Sequence, residues 1–381
     1  MSKIKTAALY RVVMHYRLPL YMRLAQDPDL DFILLYGAGQ KNTKQTNCDF
    51  PQEIIKSKKH FTIRFPFKTS SNSGAMPFYP NLFFNLIKLS PDVILTEGTS
   101  SIINASITFL YAKLFRKKII WWSMGILRGK KNKGLRKVLE YWERFIEKNS
   151  DAIFTYSSQG KEYFISHKVP PSNIFVGINV LDTERKLLEN KKFEQAETDF
   201  DFNNYFNLAF IGSIIKVKNI EVLIDSLDLF NKKYDNKGKL HIIGDGSYMN
   251  TVQKYVSDKN MKNDVIFYGR INEGAGRILK KCDVMVLPGL GGLAICEAML
   301  SALPVITGYA DGTELDLVDE SCGFILPEMN KEQLLEKISL LYLNPELRSK
   351  MSQNAFERIT GEFHFDNYYN QLKKAIHHSL K

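Results

Sequence analysis

The stretch from Asp283 to Thr307 constrains the fold more than any other part of the chain. Asp283-Val-Met-Val-Leu is a short apolar run of strand character, and Gly289, Gly291 and Gly292 follow it. Leu293 to Leu300 is built of good helix formers and stops before Pro304, where Pro304-Val-Ile-Thr reads as the next strand. Strand, glycine turn, helix, strand is the repeating unit of an α/β layer. Glycines in such a turn let a ligand come close to the backbone, and the amides that open a helix attract phosphate. Glu297, one or two turns into the helix, is placed to accept hydrogen bonds from ribose hydroxyls. Taken alone, the same residues also fit an ordinary strand-to-helix turn.

The alternation extends along the chain. Strand candidates are Thr6–Val13, Phe32–Tyr36, Phe61–Phe65, Val93–Thr96, Lys118–Trp122, Ala152–Tyr156 and Ile174–Val176, with helical stretches between them. A second series runs Leu208–Gly212, Leu240–Ile243, Val265–Tyr268, Val284–Leu287, Val305–Thr307 and Gly323–Leu326. The fold class is therefore α/β with mainly parallel sheets, and 381 residues exceed one comfortable core. The polar run Leu188–Asn203 marks the predicted linker, giving domains at 1–190 and 191–364. Phe365 to Leu380 is predicted to be a closing helix within a tail, 365–381.

Composition excludes several classes. No apolar run is long enough to span a bilayer, and the start of the chain carries no signal-peptide pattern. Cys48, Cys282, Cys296 and Cys322 are scattered and read as reduced core thiols of a cytoplasmic protein. No His/Cys/carboxylate cluster has metal spacing, and Asp29-Leu-Asp31 reads as a solvated turn, so neither metal nor cofactor is expected. Aromatic residues do not interleave with base-reading motifs, which argues against nucleic acid. Residues 1–200 hold 31 Lys/Arg against 18 Asp/Glu, whereas the remainder holds 21 against 23. The basic half implies an anionic partner there, and the run from Arg128 to Lys137 could sit on an anionic membrane surface.

Gly292-Leu293, Glu297-Ala298-Met299 and Leu303-Pro304-Val305-Ile306 together resemble the signature of family 4 glycosyltransferases. The resemblance implies the GT-B fold, two Rossmann-like domains facing across a cleft, with a nucleotide-sugar donor held mainly by the second domain. It covers most of the chain and is specific in the second half. The family pattern has two glutamates; the second matches Glu297, and the position of the first is Gly289. Gly212 and Lys218 match a segment whose lysine points at the donor diphosphate, with Ser213 in place of an arginine and Asn219 in place of a glycine. Gly244 falls in a Gly-Asp-Gly turn, and Arg270 and Ile271 fall where the nucleotide base is met. By this resemblance Gly212, Ser213, Lys218, Gly244, Arg270, Ile271, Gly291, Gly292, Leu293 and Glu297 bind the donor, with Lys218 and Glu297 in the catalytic roles.

The first half is expected to meet the acceptor, a glycan or a polyprenyl-diphosphate-linked sugar. Its candidates are His15 and Arg17 at the mouth of the first strand, Glu97 at the end of the fourth, Met124 where many relatives carry a histidine, and Arg128. The resemblance further implies transfer with retention, in surface polysaccharide synthesis at the inner face of a membrane. Two other readings stay open: a sugar-nucleotide epimerase of the same fold, and an inactive nucleotide-binding partner subunit.

Overall fold

Apolar runs buried on both faces of a sheet need helices on both sides, and the chain builds two such sheets. In the computed structural model, which describes residues 2–39, 46–68, 73–98, 101–125, 135–194, 200–289 and 291–381, the chain divides into two units. The first is Met1–Gly177 with Tyr368–Lys381, and the second is Ile178–Asn367. The break thus falls ahead of the expected position at 190. The polar run that suggested a linker belongs in part to a helix, Thr183–Lys192, whose N-cap Asp182 accepts the Arg185 amide at 3.1 Å.

The first unit holds a seven-stranded parallel sheet. Its spatial order is Ser57–Lys59, Leu30–Tyr36, Ile4–Tyr10, Val93–Glu97, Lys118–Trp122, Ala152–Thr155, Ile174–Val176. The direction of winding reverses between Ile4–Tyr10 and Val93–Glu97, so ligand-facing residues are expected at the carboxyl ends of these two strands. Trp121, Phe109, Ile146, Ile153 and Phe164 form one core cluster, and Leu9, Leu35, Tyr79, Leu86 and Ile94 form a second beside it on the same face, since Leu9, Thr96 and Trp121 lie in register across the sheet. The candidate strand Phe61–Phe65 lies outside this sheet: Ile63–Lys68 pairs antiparallel with Ser73–Phe78 as a separate hairpin. The closing helix, Phe365–Ser379, belongs to the first unit from Tyr368 onward. There Asp27 accepts hydrogen bonds from Tyr369 and Lys373, and Lys373 also pairs with Asp29 at 2.7 Å.

The second unit has six parallel strands in the order Val265–Gly269, Gly238–Ile243, Phe206–Ile211, Val284–Leu287, Val305–Gly308, Gly323–Leu326. Numbered within the unit this order is 3-2-1-4-5-6, that of a dinucleotide-type Rossmann sheet. Its winding reverses between Phe206–Ile211 and Val284–Leu287. The residues that follow these strands, Gly212-Ser213 and Pro288-Gly289, are therefore neighbours at the crevice such sheets offer to ligands.

Candidate active site

The loops that leave three adjacent strands of the second unit close on one another through contacts that tolerate no side chain. A Cβ at Gly244 would lie 1.8 Å from the carbonyl oxygen of Gly212, and the backbone there has φ +146°. The Gly244 amide donates to the Gly269 carbonyl at 2.7 Å, and the Gly212 amide donates to the Ile243 carbonyl at 3.0 Å. Gly212, Ser213, Gly244, Arg270 and Ile271 are thus brought to one edge of the sheet, with Arg270 exposed. A short 3-10 turn, Lys216–Lys218, folds down from this edge and places Lys218 beside the strand that carries the glycine turn.

Gly289 is the closest point of approach. A Cβ there would sit 2.2 Å from the Val217 carbonyl oxygen and 2.7 Å from the Lys218 Cα. The position where the family signature has its first glutamate is therefore filled by backbone of the 216–218 turn. Past Leu290, which lies outside the described residues, Gly291 packs on Ile295 and Gly292 takes φ +59° as the N-cap of the helix Leu293–Leu300. Among the described residues no side chain caps this helix, so its first amides are left open after the glycine turn, whose Gly289 packs against Lys218.

Glu297 stands in the second turn of that helix, and its carboxylate is engaged by a residue that the sequence reading missed. Lys186, from the helix Thr183–Lys192, places Nζ 2.9 Å from Glu297 Oε1 and 3.1 Å from Glu189 Oε1. Glu189 in turn accepts the Gly274 amide at 2.8 Å. Burial pushes the Glu297 carboxyl above its usual range, and the Lys186 charge opposes that shift. Lys186 lies just ahead of the predicted linker, Leu188–Asn203, and the only local signal for its helix is the capped start at Asp182.

In the first unit the candidates divide. Glu97 is buried and both its oxygens meet Arg11: Oε1 lies 2.9 Å from Arg11 Nε and Oε2 accepts the Arg11 amide at 3.0 Å. Arg17 is buried too, with its guanidinium 4.5 Å from the Trp122 ring centre and 4.9 Å from that of Tyr156, and it donates to the Tyr368 hydroxyl at 2.6 Å. Both residues hold the carboxyl ends of the strands together. His15 is exposed on a short 3-10 turn, and Met124 is half-buried just past the strand Lys118–Trp122. Arg128 and the lysines at 130, 131 and 133 lie outside the described residues. Among the described residues no group of three His, Cys, Asp or Glu side chains could hold a metal ion.

Residues 192–358, which carry this crevice, match the family described as glycosyl transferases group 1. They form a group 1 glycosyl transferase domain. An uncharacterized glycosyltransferase of Methanocaldococcus jannaschii is 24% identical over 309 residues, which cover 77% of this chain and 77% of that protein. The capsular polysaccharide biosynthesis glycosyltransferase CapM of Staphylococcus aureus is 26% identical over 57% of this chain and 60% of its own length. Among solved structures, Anabaena HepE in complex with UDP superposes with a TM-score of 0.75 at 15% identity, over 98% of this chain and 99% of that one. At that identity the likeness shows the fold, and the fold is GT-B. The glycosyl transferase domain is thus the second unit almost entire, and Lys186 and Glu189, just ahead of the matched residues, complete its Glu297 network.

Proposed function

We propose that the chain is a retaining glycosyltransferase that moves a sugar from a nucleotide-sugar donor to a glycan or lipid-linked acceptor in surface polysaccharide assembly. The observation that carries this reading is the convergence, at the winding reversal of the second sheet, of Lys218, an uncapped helix start and Glu297. That set suits a nucleoside diphosphate. The helix amides and Lys218 would meet the diphosphate, whose charge grows as the glycosidic bond breaks. Glu297 would accept from the ribose hydroxyls with the oxygen that Lys186 does not hold. The strand edge at Arg270 and Ile271 would meet the base.

The same inventory supports retention. An inverting reaction wants a positioned base to take the acceptor hydroxyl proton. In the first unit Glu97 is already committed to Arg11, which favours a reaction in which the departing diphosphate accepts that proton on the front face. The enzyme then contributes position and positive charge, and Lys218 with the helix amides can supply the charge without a metal. The role of CapM, capsular polysaccharide biosynthesis, supports a polymer acceptor, and HepE, captured with UDP, makes uridine nucleotides the first to test.

The test is a screen of nucleotide-sugars for release of nucleoside diphosphate, with and without lipid-linked and soluble glycans, followed by NMR of the product. Acceptor-dependent release with the donor's anomeric configuration kept, in the presence of a chelator, is the expected result. Release of nucleotide without any acceptor would favour an epimerase of this fold, and nucleotide binding with no turnover would favour an inactive partner subunit. Product of opposite configuration would overturn the retaining mechanism.

A further inference from the structure

Three neighbouring helices on one side of the first sheet turn apolar side chains to solvent instead of to the core. Leu82–Leu89 exposes Phe84 at 70% and Ile87; Ile102–Leu114 exposes Leu110 and, at 69%, Leu114; Leu135–Asn149 exposes Val138, Tyr141 and Phe145. Within each helix these positions fall three or four residues apart, so each helix presents one stripe. The stripes are adjacent. Phe83 contacts Tyr111 and Phe115 across the first pair of helices, with ring centres 6.1 and 6.3 Å apart. Phe109 contacts Phe145 at 5.9 Å across the second pair, where the Trp142 indole also donates to Ser106 Oγ at 2.7 Å. A contiguous exposed apolar surface of this kind is unusual in a soluble unit.

Its charge is one-sided. Lys88, Lys113, Arg116, Lys137 and Lys148 are exposed around the stripes. Lysines in the last turn of a helix have a local reason to be there. The missing acids do not: from Leu82 to Lys118 the only carboxylates are Asp92, paired with Lys117 at 3.2 Å, and Glu97, buried against Arg11. On the third helix Glu140 pairs with Arg144, and Glu143 and Glu147 are buried. The face is apolar at its centre, cationic at its margin and free of outward unpaired acid.

We propose that this three-helix face of the first unit docks on an anionic lipid surface, the apolar stripes entering the headgroup boundary and the basic margin meeting the headgroups. A bilayer is favoured over a protein partner by the charge complementarity and by the spread of the apolar side chains over three parallel stripes, which fits a plane. No helix of the described residues is long and apolar enough to cross a membrane, so the binding would be peripheral. The inference stands independently of the proposed reaction.

The experiment is flotation of the full chain with phosphatidylcholine vesicles that contain or lack phosphatidylglycerol, at low and high salt. Binding should require the anionic lipid and weaken with salt. Lys113→Glu with Arg116→Glu should lower the partition coefficient by roughly tenfold or more at low salt. Phe84→Ser with Leu114→Ser should abolish binding at every salt concentration, while the melting temperature and nucleotide binding, which reads the second unit, stay unchanged. Equal binding to neutral vesicles, or no effect of both variant pairs in folded protein, would overturn the proposal. So would sedimentation showing that the face pairs two copies of the chain and that Phe84→Ser with Leu114→Ser dissociates them.

Discussion

Lys186 Nζ lies 2.9 Å from Glu297 Oε1, so the carboxylate assigned to the ribose has its counter-charge from a lysine of its own unit. Burial alone would drive it toward protonation. Lys186→Met should therefore weaken binding of UDP, or of whichever nucleotide the screen identifies, by about 1–3 kcal/mol, with the larger loss at acid pH. Lys186→Arg should keep most of the affinity. Calorimetric titration at several pH values checks this, and unchanged affinity in Lys186→Met at every pH would count against the assignment.

Lys218 and Glu297 should separate kinetically. Glu297→Ala should weaken free nucleotide and nucleotide-sugar alike, since ribose is common to both. Lys218→Ala should act mainly on kcat, because the diphosphate charge it faces develops as the bond breaks; removing one charge-assisted contact costs about 1.5–3 kcal/mol. Wild-type kcat in Lys218→Ala would place the lysine outside the chemistry.

Gly289 cannot be returned to the family signature. Even a methyl group would overlap the Val217 carbonyl. Gly289→Ala should destabilise the second unit by about 1–3 kcal/mol, and Gly289→Glu by more, without gain in turnover. Urea midpoints and initial rates test this, and a stable, faster Gly289→Glu enzyme would show that the 216–218 turn yields.

Acid should act on both units. His60 and His241 are lowered to about 4 by burial, with Lys58 and Lys239 respectively adding to the effect. The unfolded imidazole takes a proton at pH 6.5 that the folded one refuses, so stability is full above pH 6.5 and is lost as pH falls toward 4, by at most about 3 kcal/mol for each. His241 fits this neutral form, with Nε2 beside Asn207 Oδ1 at 3.0 Å and Nδ1 beside the Tyr268 hydroxyl at 2.9 Å. Glu147 runs the other way. Burial and Glu143 raise it to about 8, so its contribution is full below pH 4.5 and is lost as pH rises toward 8. Thermal unfolding across this range should show a flatter acid limb in His241→Gln and a higher midpoint above pH 8 in Glu147→Gln.

What the sequence made legible follows from where each signal is stored. Strands buried on both faces are unbroken apolar runs, so most strands of the two main sheets could be read to within a few residues. The first was placed too late, at Thr6–Val13 instead of Ile4–Tyr10, because Val12 and Val13 are buried past its end. Ser57–Lys59 escaped because a polar edge strand has no apolar period; of the antiparallel pair, Ile63–Lys68 was read only in part, as Phe61–Phe65, and Ser73–Phe78 not at all, because Pro66 and Pro77 interrupt the pattern. The donor-side glycines were visible because a backbone contact that excludes Cβ leaves glycine as its mark. The Lys186–Glu297 and Arg11–Glu97 pairs were not, since each joins residues far apart in sequence that no local pattern links.

The closing helix has a consequence for the order of events in synthesis. Tyr368 and the residues after it belong to the first unit, yet they are made after all of Ile178–Asn367. While the second unit emerges from the ribosome, the buried Arg17 lacks the Tyr368 hydroxyl and Asp27 lacks Tyr369 and Lys373. The first unit must wait, nearly assembled, for its last piece, so the glycosyl transferase domain can finish folding before the unit that precedes it.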